Sequence, residues 1–143
     1  MPFDTPQDAE DAYYDAIESG DAEAMSRVWE TSADVACLLP MTPLLQGREV
    51  LAMWRSMFGQ GVAFDIQVRH LSWVTGDGLA LHLIEERVTP PADAAGGQPP
   101  QQIRPVYASN LFRRGPDGWR LVVHQNSPVP APPGTVPAGP DRA

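Results

Sequence analysis

Two compact turns, Thr75-Gly-Asp-Gly78 and Gly115-Pro-Asp-Gly118, constrain this chain more than any other feature, because each joins two long β-rich runs. The runs are Phe64 to Val74, Leu79 to Val88, Ile103 to Arg113 and Trp119 to Asn126. Turns this short connect only neighbouring antiparallel strands, so each pair is expected to be a hairpin. Between them, Thr89 to Gln102 is rich in Pro, Gly and Ala and predicts a long, mobile hairpin loop. The second half of the chain is therefore a meander of four strands.

The first half has a different period. From Pro6 to Ser19 the residues Ala9, Ala12, Tyr13, Ala16 and Ile17 fall on one face of a helix, which Gly20 ends. Asp21 can cap a second helix with Met25, Val28 and Trp29 on its inner face, giving a tight helix hairpin. Asp34-Val-Ala-Cys-Leu-Leu39, closed by Pro40, predicts a short strand. After Gly47, the stripe Val50, Leu51, Trp54, Met57 and Phe58 marks a third helix that Gly59 and Gly61 terminate. Helices first and strands after argue for an α+β fold, with the helices laid on one face of a strongly curved antiparallel sheet.

At 143 residues the chain has the size of one domain, expected over residues 1–128, and it can bury a single core. Residues 129–143 are dominated by Pro, Ala and Gly and predict a flexible tail. A net charge of −8 with no basic stripe argues against a nucleic-acid partner. The N-terminus lacks a basic and an apolar region, and no stretch reaches the roughly 18 apolar residues of a membrane span. With Cys37 as the lone cysteine, a soluble cytoplasmic protein is expected, with no membrane partner.

Turn geometry predicts which side chains share a face. A turn centred on Gly76-Asp77 pairs His70 with Leu83 and Leu71 with His82. Phe64, Ile66, Val68, His70, Leu79, Leu81, Leu83 and Glu85 then form the more apolar, inward face. Glu85 becomes a carboxylate in apolar surroundings, suited to acid–base work, unless it pairs with an arginine at the sheet edge. One inserted residue would exchange Glu85 for Glu86. The same geometry on the last hairpin sets Phe112 opposite Leu121 and Asn110 opposite Val123. Asn110 and His124 then face opposite ways unless a bulge intervenes. His124 is the second candidate base, with a structural role as its alternative. His70 and His82 diverge in this register and no metal-ligand spacing occurs, so no metal is expected. Cys37 lies in an apolar strand where burial makes a thiol inert. Phosphate-loop and Gly-x-Ser-x-Gly motifs are absent, and no cofactor is expected.

The order of elements, with Ala12-Tyr-Tyr-Asp-Ala-Ile-Glu-Ser-Gly-Asp21, Leu45-Gln-Gly-Arg48, Trp54, Ser109-Asn-Leu-Phe-Arg113 and Gly118-Trp-Arg-Leu-Val-Val-His124, resembles the nuclear transport factor 2-like superfamily and its SnoaL-like branch. The resemblance covers about residues 6 to 128. It implies a cone-shaped cystatin-like fold with a pocket at its open end and dimerisation through the sheet. The first helix is also similar to that of ketosteroid isomerases, which stabilise an oxyanion with a tyrosine and a protonated aspartic acid. Tyr13 matches that tyrosine and Asn110 that aspartic acid. The isomerase's general base would fall near Cys37-Leu-Leu39, where this chain has no carboxylate. The expected protein is a homodimer with an apolar pocket for a small organic ligand, walled by Trp29, Trp54, Phe58, Leu83 and Phe112 around Tyr13 and Asn110. The alternatives are an acid–base enzyme (cyclase, isomerase or dehydratase) using Glu85 or His124, and an oligomerising module similar to the association domain of calcium/calmodulin-dependent kinase II.

Overall fold

The computed structural model describes residues 3–89 and 105–130; the loop expected over 89–102, apart from residue 89, and the tail expected over 129–143, apart from residues 129 and 130, lie outside the described residues. Three helices, α1 (Pro6–Ser19), α2 (Ala22–Val28) and α3 (Arg48–Gly59), accompany six strands. These are β1 (Ala36–Leu38), β2 (Leu45–Gln46), β3 (Asp65–Thr75), β4 (Leu79–Thr89), β5 (Val106–Gly115) and β6 (Gly118–Pro128). They form one sheet in the order β2-β1-β6-β5-β4-β3. The sheet is mixed, not purely antiparallel, because β1 runs parallel to β6. The chain leaves β1 through α3 and the whole meander before β6 returns beside it, and a connection of that length permits parallel pairing. Among the described residues no helix is long and apolar enough to cross a membrane.

Local chemistry sets the helix ends. Thr5 Oγ1 accepts from the Asp8 amide at 3.0 Å and Pro6 opens α1. Gly20 adopts φ 65°, and the Asp21 amide then reaches the Ala16 carbonyl at 3.0 Å. Asp21 Oδ1 accepts from the Ala24 amide at 3.0 Å, so α2 starts at once and folds back on α1. The core lies between the helices and the concave face of the sheet. Tyr13, Ile17, Met25, Val28, Trp29 and Trp54 bury against Ile84, Phe112 and Leu121, and each such side chain contributes on the order of 1.5–3 kcal/mol of transfer free energy.

Two β-bulges decide which polar residues enter that core. The β3–β4 turn centres on Asp77-Gly78, with the Gly76 amide donating to the Leu79 carbonyl at 2.8 Å and Gly78 at φ 75°. Asp-Gly suits a two-residue hairpin turn, so the centre lies one position beyond the expected one. His82 therefore pairs with Trp73 and Leu83 with Ser72. A register shift between His70 and Ser72 leaves Leu71 as an extra residue, and His70 then pairs with Ile84 and Val68 with Glu86. The expected His70–Leu83 and Leu71–His82 pairs do not form. Ala80, His82, Ile84 and Glu86 bury, while Leu79 and Leu83 are exposed on the outer face.

On the final hairpin Phe112 pairs with Leu121, as the turn predicts. The register then shifts between Leu111 and Phe112, Val122 becomes the extra residue, and Asn110 pairs with His124 in place of Val123. Asn110 and His124 thus share the inner face, and both are buried.

Candidate functional site

Helix α1 carries two polar residues on its buried arc. Glu10 and Tyr14 are one turn apart, flanking Tyr13, and Glu10 is only 1% exposed. Its carboxylate is surrounded by donors: His70 Nε2 at 2.7 Å on Oε1, with His82 Nδ1 and Asn110 Nδ2, each at 3.0 Å, on Oε2. Burial pushes the Glu10 carboxyl up, but the bonds from His82, Asn110 and His70 outweigh it and hold it below the usual range. Glu10 is therefore an ionised acceptor inside the cone.

Asn110 extends this arrangement across the core. Its amide also donates to Tyr14 Oη at 3.1 Å, and its Oδ1 lies 2.6 Å from His124 Nδ1. Tyr14 Oη donates to Glu86 Oε2 at 2.6 Å, and Asn126 Nδ2 donates to Glu86 Oε1 at 2.8 Å. His124 Nε2 closes the ring, 3.1 Å from Asn126 Oδ1 and 3.7 Å from Glu86. Burial lowers the His124 pKa while Glu86, Asn126 and Glu10 oppose it, and burial prevails. Both ring nitrogens face amide oxygens, and a neutral ring with its single hydrogen donates to only one of them at a time. Burial first, then the Glu86 charge, raises the Tyr14 phenol well above its ordinary value, so it stays a proton donor. Cys37, next to His124 across β1 and β6, is pushed up to about 12 by burial and Glu86 and is not a thiolate.

The network opens to solvent on one side. A cleft of ≈ 250 Å³ is lined by Glu10, Asp11, Tyr14, Asp15, Val68 and His70. A larger groove of ≈ 440 Å³ runs past Trp29, Thr31, Val35 and Leu51, but no residue of the polar network lines it. The polar network meets solvent at the smaller cleft.

The candidate residues fall into distinct places. Tyr13 is buried among aromatic rings, edge-on to Trp54 at 5.8 Å and 5.0 Å from the His124 ring, so the tyrosine bonded to Asn110 is Tyr14. Trp29, Trp54 and Phe112 are packed core and Phe58 is half-buried against Trp54. The Trp54 Nε1 group is buried with no hydrogen-bond partner among the described residues. Leu83 lies on the outer face, 37% exposed. Glu85 shares that outer face but is only 8% exposed, paired with Arg87 at 3.2 Å and Arg69 at 3.9 Å, because the Leu71 bulge exchanges it for Glu86 in the core. His124 and Asn110 meet in the network. Sequence reasoning missed Glu10, Tyr14, His70, His82, Glu86 and Asn126 as a group. The signal for Glu10 was its position: three and four residues before Tyr13 and Tyr14, it lies on the same buried arc of α1.

The fold is that of a nuclear transport factor 2-like domain with a cystatin-like cone. The match to the SnoaL-like domain spans residues 7–132, and the chain belongs to that family. It is similar to a structure from Thiobacillus denitrificans provisionally described as a calcium/calmodulin-dependent protein kinase type II association domain. Identity there is 35%, coverage 91% of this chain and 99% of that one, and the TM-score 0.79. A provisional dehydratase of the same superfamily from Streptomyces avermitilis is 34% identical over 86% of this chain and 93% of that one, with a TM-score of 0.72. A cystatin-like-fold protein from Novosphingobium aromaticivorans shares the fold at 22% identity over 85% of this chain and 77% of that one, with a TM-score of 0.63. No curated protein matches the chain.

Proposed function

We propose that the chain is a homodimeric, cytoplasmic small-molecule-binding domain whose ligand occupies the cleft beside α1 and β3. The observation that carries this reading is that Glu10 and Tyr14 line the cleft and also belong to the buried network. Buried ionisable groups cost stability unless every partner is in place, and apolar residues would hold the same core more cheaply. Their retention here supports a role in recognition. The cleft is polar and carries three carboxylates, Glu10, Asp11 and Asp15, which favours a small organic molecule bearing hydrogen-bond donors or a positive charge.

Dimerisation is supported by the outer sheet face. Val74, Leu79, Leu83 and Tyr107 are exposed there, around a groove of ≈ 310 Å³ that Leu71, Leu83 and Tyr107 line with three serines. Acid–base catalysis of the dehydratase or isomerase kind is the second reading, favoured by the 2.6 Å contact between Tyr14 and the buried Glu86.

Two measurements test the proposal. A thermal-shift screen of small amines, carboxylates and enolisable ketones is expected to raise Tm by a few degrees for at least one class. Light scattering at micromolar concentration is expected to give twice the chain mass. A screen with no response contradicts ligand binding, and a monomer contradicts the assembly.

A further inference from the structure

The three histidines of this chain differ sharply in access: the side chain of His70 is 40% exposed, against 2% for His82 and 1% for His124. His70 also lines the cleft. Its Nε2 lies 2.7 Å from Glu10 Oε1. An ionised carboxylate only accepts hydrogen bonds, so this nitrogen carries a hydrogen and a neutral ring has its lone pair on Nδ1. Among the described residues Nδ1 has no hydrogen-bond partner.

We propose that His70 is a general base of the cleft, held by Glu10 in the Nε2–H tautomer so that Nδ1 takes a proton from the bound molecule. A carboxylate that fixes the tautomer also stabilises the imidazolium formed on proton transfer. Glu10 is well placed for both, since His82 and Asn110 pin its other oxygen. The ring is fixed from a second side. Trp73 meets His70 edge-on at 4.9 Å and stacks on His82 at 4.2 Å. Trp73 is itself 48% exposed. The groups facing His70 are Glu10, Asp11, Tyr14 and Asp15 of α1 and His82 of β4.

This inference rests on the cleft being the ligand site, and its test reads proton transfer apart from binding. The probe is nitrobenzisoxazole, a planar aromatic. Its ring C–H proton passes to Nδ1, the C–H electron pair completes a nitrile, the N–O bond breaks, and the oxygen leaves as phenolate. His70→Gln is expected to lower the rate by about 100-fold, the low end of the range for a positioned base, with an unchanged circular-dichroism spectrum. A wild-type rate no faster than that of His70→Gln, at background or above it, overturns the proposal. Imidazole ¹⁵N resonances supply a second reading, free of any ligand. In its neutral form the His70 ring is expected to show protonated Nε2 and bare Nδ1. A neutral ring with a bare Nε2 overturns the tautomer assignment even if Glu10→Gln fails to fold. Proton transfer lost in His70→Gln with ligand-induced stabilisation retained separates this proposal from the binding reading. Stabilisation lost with proton transfer retained contradicts both the base and the shared site.

Discussion

Asn110 spends its whole amide inside the protein: its nitrogen donates to Glu10 and Tyr14, and its oxygen faces His124. It has no donor left for a ligand oxygen, so its role is to order the charged and phenolic groups around it. Asn110→Leu leaves three buried polar partners short at once, and each orphaned group costs about 1–3 kcal/mol. Urea unfolding is therefore expected to show a loss of about 3 kcal/mol or more; a loss under about 1 kcal/mol would mean that the network contributes little. Asn110 was legible in the sequence as a candidate, but its partner was not. Tyr13 and Tyr14 are adjacent on a helix, about 100° apart, and periodicity assigns the core-facing stripe to Tyr13 without showing that the arc is wide enough to bury Tyr14 and Glu10 as well.

At the scale of elements, the helices and hairpins follow from caps, turns and period, and the structure has them at the expected places. Register is different. It depends on the Asp77-Gly78 turn centre and on extra residues at Leu71 and Val122. An apolar residue in a bulge has the same composition as its neighbours, so nothing in the chain marks it. Both bulges nonetheless determine the site, since one brings Glu86 inside and the other joins Asn110 to His124. The turn centre is open to test. Gly78 has φ 75°, whereas Gly76 has no positive φ and a Cβ there would meet only the Leu79 carbonyl oxygen at 3.9 Å. Gly78→Ala is expected to cost about 1–2 kcal/mol in chemical denaturation, and Gly76→Ala much less. Equal costs would contradict a turn centred on Asp77-Gly78.

Over the whole molecule, the cone has an aromatic core, an inner polar ring and an outer sheet face that is apolar in patches. The resemblance carried by short motifs identified the superfamily and family, because element order and turn spacing survive where single residues vary. It did not locate the site, which is assembled from α1, β3, β4, β5 and β6 through contacts separated by up to a hundred positions. Tyr14 joins the cleft to the buried Glu86 and Asn110, so it is where recognition and the network can be separated from packing. The decisive measurement is isothermal titration of the compound that stabilises the protein most, comparing wild type with Tyr14→Phe, folded by circular dichroism. The account predicts a loss of affinity of about tenfold, near the 1.4 kcal/mol expected for one hydrogen-bonding group. Equal affinity in the two proteins would contradict it and return Glu10, Tyr14 and Asn110 to a purely structural role.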